Sequence, residues 1–190
     1  MSQQLDATSR CYSSKFLRAI QFILPHEEAF ARGHWGDEKF VVAENVSGDS
    51  GGVTKYGIDA SSHPGVDIRN LTREGAIAIY AREWQKHALD CLPEKIAIAC
   101  FDVWVNGGHA VAWLQAALNE ICGCRLVVDG NLGPATMATA NATHVDDAIV
   151  RYFIKERDAR FAAIATGPRA KFLAGWEQRD RDLEKFLGLA

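Results

Sequence analysis

The sequence predicts a mostly α fold of the α+β kind, with one small β-ribbon near residues 40–58. Three observations support this. Apolar residues recur at helical spacing in several separate stretches. Between Ala31 and Ser50 that spacing disappears and only Phe40-Val41-Val42 reads as a short strand. At 190 residues, with 48% hydrophobic and 24% charged side chains, the chain suits one ordinary globular domain, or one with a small appendage.

The first helix is expected over Phe16 to Glu28. Phe16, Leu17, Ile20, Ile23 and Leu24 give its apolar stripe, and Ser13 or Ser14 suits its cap. Pro25 should kink it or mark its last turn. Val53 to Ile58 reads as a second short strand. Thr72 suits the N-cap of the next helix, with Glu74 in its first turn and Ile77, Tyr80, Ala81, Trp84 and Ala88 on its apolar face. Pro93 suits the first position of another helix. Ile96 to Val105 is apolar nearly all round, which predicts a central buried helix ended by Asn106-Gly107-Gly108. A short helix follows over Val111 to Ile121, then a turn from Asp129 to Pro134. Asp146 to Ala165 reads as a long helix broken by Gly167-Pro168, and Phe172, Leu173, Trp176, Leu183, Phe186 and Leu187 mark a final one.

Charge and cysteines narrow the function classes. The net charge of −3 provides no global basic field for nucleic acid. No apolar run approaches the roughly 18 residues of a membrane span, so membrane insertion is not expected. Met1 to Lys15 is polar and lacks the apolar centre of a secretory signal. Synthesis in the cytoplasm is expected, with export by another route. Cys11, Cys91, Cys100, Cys122 and Cys124 are odd in number and form no Cys-x-x-Cys pair, so reduced cysteines are expected, several of them in the core. No zinc-ligand spacing occurs. Phe30 stands where a His-Glu-x-x-His helix starting at His26 would need its second histidine. No metal or organic cofactor is implied.

Gly48-Asp49-Ser50-Gly51-Gly52 matches the nucleophile motif of trypsin-like proteases. Those enzymes order their triad His, Asp, Ser. Only His26 and His34 precede Ser50, which leaves too little chain for a first β-barrel. The helical remainder of the chain also opposes an all-β fold, so the protease reading is set aside.

Glu27 is the unexpected residue of the first helix. At about 100° per residue it falls within the stripe of Phe16, Ile20 and Ile23, while Glu28 points to the stripe's edge. A carboxyl group in apolar surroundings resists ionisation, the property a general acid needs. The alternative is that Pro25 breaks the geometry and leaves Glu27 a solvated helix end. Asp49 and Thr54 sit in the glycine-rich turn downstream. Glycosidases use two carboxyl groups flanking the scissile bond, and Asp49 could be the second. Its alternative is an Asx-turn that merely caps the loop. Asp102, inside an apolar helix, should be paired with a cation or a helix N-terminus and be structural. Trp104 and Trp113 are expected in the core.

Several motifs in one order carry a family resemblance. Leu24-Pro25-His26-Glu27-Glu28-Ala29-Phe30 resembles the Leu-x-x-Glu-Gly-Gly-Tyr opening of the family-108 glycoside hydrolases, which are N-acetylmuramidases. Asp49-Ser50-Gly51-Gly52-Val53-Thr54-Lys55-Tyr56-Gly57-Ile58 is similar to that family's Asp-Pro-Gly-Gly-x-Thr-x-Tyr-Gly-Ile segment. Leu71-Thr72, Ala76, Ile79-Tyr80 and Trp84 resemble its next helix. Phe101-Asp102, Val105-Asn106, Gly108 and Leu114-Gln115 resemble its Phe-Asp-x-x-Val-Asn-x-Gly and Leu-Gln motifs. Asp129-Gly130, Gly133-Pro134, Thr136, Phe172, Gly175-Trp176 and Arg179 resemble its C-terminal peptidoglycan-binding half. Two departures stand out: Glu28 and Ala29 replace the glycines after the acid, and residues 34–39 are an insertion. They make Glu28, Glu38 and Glu44 competing acids.

The resemblance implies a lysozyme-like helical bundle with a small β-lobe. It implies a catalytic region over residues 16–121 and a helical peptidoglycan-binding region over 122–190, packed on it. Glu27 would be the general acid of a muramidase, with Asp49 and Thr54 completing the catalytic set. Tyr56, Asn106, Gln115 and Trp35 are the substrate-binding candidates. The partner would be bacterial peptidoglycan, met in the periplasm or cell wall after release or secretion. The rival expectation is a non-catalytic peptidoglycan-binding or assembly protein on the same fold.

Overall fold

The computed structural model describes residues 12–30, 42–43 and 52–189. Its elements run α1 (Ser14–Phe30), β1 (Val42–Ala43), β2 (Thr54–Lys55), β3 (Ile58–Asp59), α2 (Arg73–Lys86), α3 (Glu94–Val105), α4 (Ala110–Cys122), α5 (Pro134–Thr143), α6 (Asp146–Ile164) and α7 (Leu173–Phe186). Short 3-10 turns at Leu89–Cys91 and Gly167–Phe172 precede α3 and α7. The fold is mostly α, as the helical spacing predicts. Two compact units divide it, residues 1–83 and 84–190.

In the first unit Ser13 caps α1, its Oγ accepting the Phe16 N–H at 3.1 Å. Phe16, Ala19, Ile20, Phe22, Ile23 and Leu24 are all buried. The helix continues through Pro25. Proline removes the bond to the carbonyl four residues back and crowds that carbonyl with its ring. That carbonyl belongs to Gln21, an exposed residue, so solvent can replace the missing donor. The three strands form an antiparallel sheet in the order β1-β2-β3, pairing Val42 with Lys55 and Thr54 with Asp59. Val53 to Ile58 is therefore not one strand: it turns back on itself at Tyr56-Gly57, with φ of +54° and +74°. Two consecutive positive φ values make a type I′ hairpin, whose twist suits the flanking strands. Thr72 caps α2 as expected, its Oγ1 accepting the Gly75 N–H at 3.1 Å.

The second unit is built on α3. Residues Ile96 to Val103 are all buried, and α3 packs on α4 and α6. A Schellman motif ends it: the Gly107 N–H donates to the Trp104 carbonyl at 2.9 Å and the Gly108 N–H to the Val103 carbonyl at 2.8 Å. Gly107 has φ +70°, which suits glycine there. Trp84 meets Phe101 edge-on at 5.2 Å, and Trp176 stacks on Phe161 at 4.8 Å, joining α7 to α6. Trp104 and Trp113 are half-buried. Helix α5 escaped the sequence reading. It is rich in Ala and Thr and buries only Thr136 and Ala140, so it shows no apolar stripe. Of the described cysteines only Cys100 is in the core. Cys122 and Cys124 are half-buried and Cys91 is exposed, all with free thiols. Cys11 lies outside the described residues. No described helix is long and apolar enough to cross a membrane.

Candidate active site

Glu27 keeps its place on the apolar face of α1. Ile20, Ile23 and Leu24, one and two turns back, are buried, while Glu27 itself is half-buried at the stripe's end. Its neighbour His26 turns away, with Nδ1 2.8 Å from the Phe22 carbonyl oxygen of the preceding turn.

The Glu27 side chain reaches the tip of the β2–β3 hairpin. A methyl group placed on Gly57 would stand 2.6 Å from Glu27 Oε2, 2.8 Å from its Cγ and 2.7 Å from the Tyr80 hydroxyl oxygen. Glycine is thus required at this position twice, for the backbone angle and for the close approach. Tyr80, projecting from α2, donates its buried hydroxyl to the Tyr56 carbonyl at 2.8 Å. Helix, hairpin and second helix meet at one carboxylate.

Thr54 lies on β2 of the same hairpin, half-buried. Tyr56 is buried, its backbone held in the left-handed region that bulky residues resist. Lys55 bridges from the hairpin to the Arg69 carbonyl at 3.2 Å. Opposite Thr54, the Asp59 carboxylate accepts bonds from the Ser61 hydroxyl at 2.5 Å and the Ser62 N–H at 2.9 Å. Burial works to raise its pKa, and those bonds outweigh burial and lower it. Asp59 is committed to its own turn. Asp49, Trp35, Glu38 and Glu44 lie outside the described residues.

The remaining two candidates belong to the second unit. Asn106 is exposed and ends α3, its Nδ2 donating to the Asp102 carbonyl at 2.7 Å. Gln115 is buried. Its Nε2 donates to Asp129 Oδ1 at 2.8 Å, the Asn131 carbonyl at 3.1 Å and Thr136 Oγ1 at 3.3 Å. Its Oε1 accepts the N–H groups of Asp129 at 3.1 Å and Gly130 at 2.9 Å. An amide has two donors and two lone pairs, so nothing remains for a ligand. Gln115 braces the loop before α5.

Asp102 behaves as a structural carboxylate. It is fully buried; Oδ1 meets Arg179 Nε at 2.9 Å and Nη2 at 2.8 Å, and Oδ2 meets Arg157. Burial opposes its charge, and the two guanidinium groups outweigh burial and lower its pKa. Arg157 also contacts Asp180. Burial pushes Asp180 up to about 7 despite Arg157, with Asp102 and Asp158 adding repulsion.

Gly57 and Tyr80 are site residues that no local sequence pattern marks as such. A Tyr-Gly pair between two short β stretches was the available signal for the turn, masked by tyrosine's poor fit to positive φ. No group of three or more His, Cys, Asp or Glu among the described residues could hold a metal ion.

Residues 42–108 match the model described as glycosyl hydrolase 108, and residues 109–181 match the predicted peptidoglycan domain. These two matches support the resemblance to the family-108 glycoside hydrolases with a peptidoglycan-binding region. Among solved structures it is similar to that of Brucella abortus SagA, with a TM-score of 0.65 and 25% identity over 92% of this chain and 94% of that one. No curated protein matches. The fold is mostly α and lysozyme-like. Thr54, Tyr56, Gly57, Tyr80 and Asn106 fall within the hydrolase match, Gln115 falls within the peptidoglycan match, and Glu27 precedes both. The two matches support a muramidase-like role on peptidoglycan.

Proposed function

We propose that this protein is an N-acetylmuramidase that hydrolyses the β-1,4 bond between N-acetylmuramic acid and N-acetylglucosamine. One observation carries the reading: the half-buried Glu27 carboxyl group rests against the glycine of the hairpin that bears Thr54. A carboxyl group that is partly desolvated yet still reachable can protonate a leaving oxygen. In this reading Glu27 protonates the glycosidic oxygen. Asp49 stabilises the oxocarbenium-like transition state or activates water, and Thr54 orients that water. Residues 16–121 form the catalytic region and 122–190 the peptidoglycan-binding region. The protein acts in the periplasm or cell wall after release.

The test compares wild type with Glu27→Gln on purified sacculi, identifying new reducing ends by mass spectrometry. Muramic acid ends from wild type, absent from the variant, are expected. Equal release by both would move the acid to Glu28, Glu38 or Glu44. No release by a folded wild type would favour the binding-only protein.

A further inference from the structure

The second unit holds a pocket of about 380 Å³ that the chemistry at Glu27 does not use. Leu89, Trp104, Val111 and the exposed Val128 give it apolar walls, His87 and His109 also line it, and the exposed Asp129 is the one formally charged residue of its lining. This carboxylate is fixed in place. Gln115 Nε2 and the Asn131 N–H both donate to Oδ1, at 2.8 and 2.9 Å, while Gln115 Oε1 holds the backbone on either side. The Gln115 bond first, then Asn131, keep its pKa below the usual value, so it is charged at neutral pH. Among the described residues no lysine, arginine or histidine pairs with it.

A largely apolar pocket with one fixed, exposed carboxylate in its lining complements an aliphatic chain that ends in an ammonium group. It repels a ligand whose only charge is negative, and a neutral sugar gains little from the fixed charge. Peptidoglycan contains a group of the required kind, the diamino acid of the stem peptide. We propose that this pocket receives the aliphatic ammonium side chain of that diamino acid. The proposal rests on the peptidoglycan reading above and assigns the pocket to the peptide, separate from glycan cleavage at Glu27. Both lysine and diaminopimelate supply the ammonium.

The test is titration calorimetry of the full chain with soluble disaccharide–tetrapeptides of the lysine and diaminopimelate types, each with the side-chain ammonium free or N-acetylated. Acetylation, or Asp129→Asn, is expected to weaken binding about two- to five-fold. Val111→Phe, which fills the pocket, should weaken it without touching the charge. If Val111→Phe fails to fold, acetylation and Asp129→Asn still decide. Equal binding of free and acetylated probes, or no effect of Asp129→Asn, would overturn the proposal. Sugar release from sacculi is measured in parallel. Cleavage without ammonium-dependent binding sinks the pocket alone, whereas ammonium-dependent binding without cleavage sinks the muramidase reading alone.

Discussion

Glu27 and Asp102 present the same pattern in the sequence: one carboxylate on an otherwise apolar helical face. Their surroundings in the fold are opposite. Asp102 is fully buried between Arg157 and Arg179. Glu27 is half-buried at the end of α1, against the glycine of a hairpin tip. The first arrangement holds a charge that cannot leave. The second sets a half-buried carboxyl group against a glycine, where we propose it meets substrate. An acid on an apolar stripe is therefore a question, and what packs across from it supplies the answer.

The comparison is sharpest when each acid is made neutral. Glu27→Gln should reduce sugar release by about 10²–10⁴-fold while leaving thermal stability nearly unchanged. Asp102→Asn should do the reverse and destabilise by about 3–5 kcal/mol, because two buried guanidinium groups lose the carboxylate they share. Denaturant titration of both variants checks this, and equal destabilisation would break the distinction. Gly57→Ala comes next. Strain at φ +74° and collision with Glu27 should cost about 1–3 kcal/mol and lower activity, read as the melting shift and initial rate. Tyr80→Phe removes the buried bond to the Tyr56 carbonyl and should cost about 1 kcal/mol.

A further effect is a pH slope. Asp180, raised to about 7 in the fold against a usual 3.8, binds its proton more tightly folded than unfolded. Its contribution is complete below the usual value and is lost as pH rises toward 7. Asp102 has the opposite sign: its contribution is present above 3.8 and lost as pH falls through its lowered value. Asp180→Asn should therefore flatten the loss of melting temperature between about pH 4 and 7 relative to wild type. An unchanged slope would show that Asp180 is ionised throughout.

Much of the helical framework was legible because helices imprint their burial at short range. The caps at Ser13 and Thr72, the stripe of α1, the buried run of α3 and its Asn106-Gly107-Gly108 stop all act within a few residues. Helix α5 was not legible, since alanine and threonine give no stripe to read. The β2–β3 hairpin was read as one strand because tyrosine at positive φ contradicts local preference. Gln115 was expected to meet substrate, yet its amide is spent on a loop fourteen to twenty-one residues away in sequence.

What the sequence determined by itself was local: helix positions, their ends, the motif order, and the two acids on apolar faces. Only the tertiary structure decided which acid meets two arginines and which meets Gly57 and Tyr80, and which amide is consumed by a loop. The physical reason is distance along the chain. Arg157 lies fifty-five residues from Asp102 and Arg179 seventy-seven, and a side chain's solvent and charge partners are set by such contacts, which no local pattern records.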